Sequence, residues 1–202
     1  IPGLTGQRGE RGPQGKDGLA APVLPIALPL AVVLVASDHG NLSRLPNILA
    51  AVKQSKAFWD GIGIRLQVNV AALQTDLEPN GAYFERLQQL HHWEIGGPPL
   101  AVYVWSDWPR IDDGQHLGIA YVGSGIAVCA GNVLIPGGIG PGGQSMLDEI
   151  IDHELAHLLG LLHEEGTFMA SALELHNRLV IPQQRETLLE GATSVQPVTG
   201  RC

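Results

Sequence analysis

His153-Glu154-Leu155-Ala156-His157-Leu158-Leu159-Gly160-Leu161-Leu162-His163 is the stretch on which the reading of this chain turns. It fits H-E-x-x-H-x-x-G-x-x-H at every fixed position. Two histidines four residues apart lie on one face of a helix, about one turn from each other. Their imidazoles can grip one zinc ion from the same side. Glu154 follows the first ligand on the same helix and can reach a water on that ion. Gly160 lets the backbone leave the helix sharply, as a left-handed C-cap does. That bend swings His163 back as a third ligand. Three protein ligands leave a fourth position for water, the arrangement of a catalytic zinc rather than a structural one. A helix that merely carries histidines does not need the glutamate, the glycine and the third histidine in fixed places as well.

These residues resemble the extended zinc motif of the metzincin metallopeptidases, matrixins and reprolysins among them. The gluzincins lack a third histidine at this spacing. The family also carries a methionine in a tight turn beneath the zinc, and Met169, one of two methionines in the chain, stands just past His163. The resemblance implies an α/β (α+β) catalytic domain: a mixed twisted sheet with a long helix and a zinc helix, and a small C-terminal subdomain after the third histidine. It implies zinc as the cofactor, His153, His157 and His163 as its ligands, Glu154 as general base, Met169 as the Met-turn residue and Gly160 as the helix exit. Gly118, Ile119, Ala120 and Tyr121 look like the edge strand above the cleft, which binds substrate backbone by strand addition. The segment from Ala170 to Ile181 corresponds to one wall of the specificity pocket.

The chain has 202 residues, 45% of them hydrophobic, enough for one domain with a real core plus an appendage. A formal net charge of -8 argues against nucleic acid and against anionic membrane surfaces. The chain begins at Ile1 without a starting methionine or a signal peptide, which reads as a processed or excised chain. Cys129 and Cys202 can bridge or remain thiols, and an extracellular setting favours the bridge.

Glycine recurs at every third position from Gly3 to Gly18. This is a collagen-like G-X-Y pattern, in which only glycine fits at the triple-helix axis. Three parts follow: a collagen-like segment over 1–18, a proline-rich linker over 19–30, and a metzincin-like peptidase domain over 31–202. Residues 19–36 are uncharged and apolar, but Pro22, Pro25 and Pro29 break any helix there, so no membrane span is expected. A buried strand is expected over Ala31–Ala36 and a helix over Leu45–Trp59, stopped by Gly61. The alternation from Ile62 to Val70 marks a half-buried strand. Tyr83 to His92 reads as a short helix or loop. Further strands fall in Leu100–Trp105, Leu117–Val122 and Gly125–Leu134, with a glycine-rich loop over Pro136–Gly143. Ser145 is placed to cap the zinc helix, with Asp148 and Glu149 at its positive end. A last helix is expected over Pro182–Glu190, stopped by Gly191.

Asp152 reads as a solvated helix acid, with an outer-sphere role towards His153 as the sharper option. Glu164 and Glu165 read as loop acids that can also favour basic substrates. His39, His91, His92, His116 and His176 have no metal spacing of their own. Cys129 sits in an apolar strand and reads as structural. The expected function is a secreted zinc endopeptidase acting on proteins or peptides. The alternative is a collagen-tethered, non-catalytic binding or adhesive protein, with a homotrimer built through a longer collagen-like tract. The intact Glu154 argues against that alternative. Metal-dependent hydrolysis of a non-peptide bond is a third possibility.

Overall fold

The computed structural model describes residues 24–36, 45–74, 87, 100–105, 116–131, 146–170 and 177–195. The collagen-like segment, the loop over Pro136–Gly143, the stretch Tyr83–His92 apart from Leu87, Ser145, Cys202 and four of the lone histidines lie outside them. The order is β1 (Ile26–Ala36), α1 (Leu45–Ile62), β2 (Ile64–Gln74), β3 (Ala101–Trp105), β4 (Gly118–Tyr121), β5 (Ile126–Ala130), α2 (Leu147–Leu158) and α3 (Pro182–Ser194). The strands form a mixed sheet in the order β2-β1-β3-β5-β4. β1 pairs in parallel with β2 and β3, and β3 with β5, while β4 runs antiparallel to β5. The fold class read from the sequence is the one observed.

The central strands have apolar residues at every position because both faces of the sheet are covered. Leu28, Leu30, Val32 and Leu34 of β1 face the layer of α1, α2 and α3. Ala31, Val33 and Val35 face the opposite layer, with Leu87, Tyr103 and Trp105. β2 is half-buried only at its start, where Ile64 and Leu66 enter the core, and is mostly exposed beyond.

Several boundaries differ from the sequence expectation, and β2 also runs on past Val70 to Gln74. β1 starts at Ile26, so Ile26 to Leu30, expected in a linker, are strand. Pro29 is tolerated there. The Ile26 N–H points to the β2 side, at the Gly63 carbonyl, and the Ala31 N–H to the β3 side, at Leu100. Residue 29 therefore turns its nitrogen to the β3 side, where pairing begins only at Ala31, and no ladder bond is lost. α1 runs past Gly61 to Ile62, and Gly63, at φ 104°, makes the stop and starts β2 at Ile64 instead of Ile62. Met146, not Ser145, holds the cap position of α2, with no side-chain cap bond. α3 continues through Gly191 to Ser194. A Cβ on Gly191 would lie 3.1 Å from Leu159 Cα and closer still to its carbonyl oxygen. That glycine serves helix-to-turn contact, not helix termination.

Candidate active site

α2 places its apolar residues Leu147, Ile150, Ile151 and Leu155 in the core and turns His153 and His157 to one side. Its end is a Schellman motif. Leu161 N–H donates to the Ala156 carbonyl at 3.0 Å and Gly160 N–H to His157 at 3.0 Å, with Gly160 at φ 99°. The chain then returns His163 to the helix. One ligand nitrogen from each of His153, His157 and His163 lies within 4.8 Å of the others. His157 Nε2 is 3.1 Å from His153 Nε2 and 3.2 Å from His163 Nε2.

Backbone carbonyls fix two of these rings. His153 Nδ1 lies 3.1 Å from the Phe168 carbonyl, and His157 Nδ1 lies 2.7 Å from the Leu161 carbonyl. A carbonyl only accepts, so each Nδ1 carries the hydrogen. Each Nε2 lone pair is left for a metal. Burial, together with the neighbouring imidazoles, lowers the His153 pKa to about 4 and also lowers that of His157. Both rings are therefore neutral at physiological pH, the form that ligates. Three imidazoles converging on one point, two of them held neutral by burial, suit a zinc ion.

Glu154 is 6% exposed, and burial raises its pKa to about 8. Its side chain packs directly against β4: a Cβ on Gly118 would lie 2.6 Å from Glu154 Cγ and 2.7 Å from Cδ. Gly118 therefore leaves the space that Glu154 fills. Gly118 to Tyr121 form β4, the last strand of the sheet order, beside α2. Sequence reasoning named both residues but not this contact between them.

Met169 is fully buried, in a turn held by polar bonds. Glu164 N–H donates to the Met169 carbonyl at 2.9 Å, Thr167 Oγ1 donates to the Glu164 carbonyl at 2.7 Å, and Met169 N–H donates to Thr167 Oγ1 at 3.1 Å. Gln184 of α3, 3% exposed, donates through Nε2 to Glu164 Oε2 and Thr167 Oγ1, each at 2.9 Å. Glu164 is an exposed loop acid, as read from the sequence, and Gln184 ties it to the turn.

Asp152 is not the solvated acid expected. It is 1% exposed and accepts from Trp59 Nε1 at 2.8 Å and from Arg178 Nη1. Burial raises its pKa to about 7, against the opposing pull of Arg178, Ser55 and Trp59. Arg178 also donates through Nη2 to Asp148 at 2.5 Å and stacks over the Phe58 ring at 4.7 Å. Arg178 and Gln184 are the site neighbours that sequence reasoning missed. The available signals were the spacing of Asp148 and Asp152, one helical turn apart, and a charge set among Ile150, Ile151 and the ligand histidine. Cys129 is a buried thiol on β5, its pKa raised by burial and by the carboxylates of Glu154 and Asp152. His116 is exposed and outside the histidine cluster.

The architecture is shared with solved metallopeptidase structures. Archaemetzincin from Methanopyrus kandleri superposes with a TM-score of 0.61 at 16% identity, over 87% of this chain and 99% of that one. Metalloproteinase-II from Bacteroides fragilis matches with a TM-score of 0.54 at 14% identity, over 87% of this chain and 56% of that one. The chain thus spans little more than half of the Bacteroides protein. No family sequence model and no curated protein sequence matches the chain. The fold is accordingly of the archaemetzincin kind, a likeness carried by structure and not by overall sequence.

Proposed function

We propose that this chain is a zinc-dependent metallopeptidase of the metzincin type, hydrolysing peptide bonds in protein or peptide substrates. The observation that carries this reading is the convergence of three imidazoles, two from one helix and one from the chain just past its end, beside the buried Glu154 of that helix. The names of its structural neighbours, an archaemetzincin and a metalloproteinase, support the same class.

His153, His157 and His163 would hold the metal. A bound zinc ion supplies Lewis acidity, activating water at neutral pH and polarising a carbonyl. Glu154 takes the proton from the attacking water and passes it to the leaving amine. β4 offers its outer edge to an extended peptide, so that main-chain hydrogen bonds hold substrate across the helix. Met169 supports the ligands from below as the Met-turn residue. Secretion accords with the collagen-like triplets of the N-terminal segment.

The test is cleavage of a mixed peptide library by the zinc-loaded chain, with Glu154→Gln and o-phenanthroline as controls. Cleavage that disappears in both controls is the expected result, with Glu154→Gln losing about 10²–10⁴-fold in kcat. A zinc-bound chain that cuts nothing, or a Glu154→Gln variant of full activity, would overturn the reading.

A further inference from the structure

We propose that Arg178 is a positioning residue for the metal ligand His153, holding the carbonyl that sets that imidazole's tautomer and tilt. The proposal rests on the metallopeptidase reading above for its purpose, though not for its geometry. Arg178 lies outside the metal cluster, and its chemistry is a fork. Nη1 binds Asp152 and Nη2 binds Asp148, two carboxylates one turn apart on the helix that carries His153 and His157. The guanidinium face covers Phe58 at 4.7 Å.

Two connections run from this fork to one residue, Phe168. The first is backbone. Arg178 is followed by Leu179, whose carbonyl accepts the Phe168 N–H at 3.2 Å. The second is aromatic. Phe58 meets the Phe168 ring edge-on, with centroids 5.3 Å apart. Both converge on Phe168, and the carbonyl of Phe168 is the one that His153 Nδ1 faces at 3.1 Å. The arginine thus locks segment 177–179 to α2 by charge and places the acceptor for a ligand on the same α2. Outer partners of this kind orient a ligating imidazole and raise its basicity.

Stability alone is a poor reason for this arrangement. A buried ion pair gains little over apolar residues of equal volume, because desolvation offsets the attraction. Lysine could not replace the function either. A single ammonium cannot bind two carboxylates in a planar fork and stack on a ring at once.

The experiment measures the metal site directly in the full chain. Arg178→Met and Arg178→Lys are compared with wild type by the visible absorption of the cobalt(II)-substituted protein and by zinc affinity in chelator competition. Arg185→Met is the control, since Arg185 donates to the Ile62 carbonyl on α1 and touches no ligand. The expected result is a changed cobalt spectrum and zinc binding weaker by about 10–100-fold for Arg178→Met. Arg178→Lys recovers only part of this, and Arg185→Met alters neither readout. A folded Arg178→Met chain with the wild-type spectrum and zinc affinity within twofold would overturn the assignment, whatever its melting temperature. Should Arg178→Met fail to fold, Asp148→Ala decides: it removes one arm of the fork and keeps the buried pair with Asp152. A spectral shift in the same direction supports the proposal, and an unchanged spectrum sinks it. A wild-type chain that binds cobalt with this arginine dependence yet cleaves no peptide would overturn the proposed activity and leave the role of Arg178 standing.

Discussion

α2 has two neighbouring stripes that solve opposite problems. The stripe of His153 and His157 gathers nitrogen ligands and keeps them uncharged by burial. The stripe of Asp148 and Asp152, one residue round the helix, gathers acids and answers them with Arg178 and Trp59. Both are clusters of titratable groups at similar depth. One is arranged to accept a cation from outside the chain, and the other already contains its cation. The difference teaches that residue type alone does not mark a metal site. What marks it is the balance left over: donors with lone pairs still directed at a common point in the first stripe, and saturated carboxylates in the second.

The largest effect should come from breaking the first stripe. His163→Ala removes one of three ligands, and zinc affinity measured by chelator competition should fall by more than the roughly 10–100-fold cost of losing an outer partner. An unchanged affinity would mean that His163 does not reach the metal. Next comes the seat of Glu154. Gly118→Ala puts a methyl where Glu154 packs, so kcat should drop by about 10²-fold while zinc affinity holds, since the methyl displaces the base and not the ligands. Equal losses in both would show that the ligands, and not the base alone, had moved.

The second stripe should respond in stability. Trp59→Phe leaves Asp152 Oδ1 without its 2.8 Å donor and should cost about 1–3 kcal/mol in urea unfolding. A last test sharpens the contrast by pH. The folded pKa of Glu154, about 8, stands above its ordinary value of 4.5, so the folded state holds this proton longer than the unfolded chain does. Stability of the chelator-stripped chain should therefore fall as pH rises from 4.5 to 8, by at most about 1.4 kcal/mol per pH unit from this group. Glu154→Gln should remove that component of the slope. Identical slopes for the two chains would place the carboxyl in water.

The histidine cluster and the class of fold were legible because both follow from short-range rules. Helical spacing puts His153 and His157 together, Gly160 supplies the exit, and the continuous apolar runs of β1, β3 and β5 announce a sheet covered on both faces. The misread elements depend on partners distant in sequence. Pro29 read as part of a proline-rich linker because nothing in sequence tells which side of a strand its nitrogen will face. Asp152 looked solvated because Trp59 stands 93 positions away. Arg178 carries no motif, and only the tertiary fold brings it to Asp148 and Asp152.

Gly191 shows how closeness limits strength in this molecule. Alanine would make α3 a better helix by roughly 1 kcal/mol on intrinsic preference alone. At this position the added methyl would strike the Leu159 carbonyl, at the turn that ends α2. The backbone of α3 can lie against that turn only while residue 191 has no side chain. An engineer scanning the surface for glycine-to-alanine gains would find an attractive target here. The substitution would strengthen one helix in isolation and drive it off the foundation of the other, so the molecule keeps the weaker helix for the tighter joint.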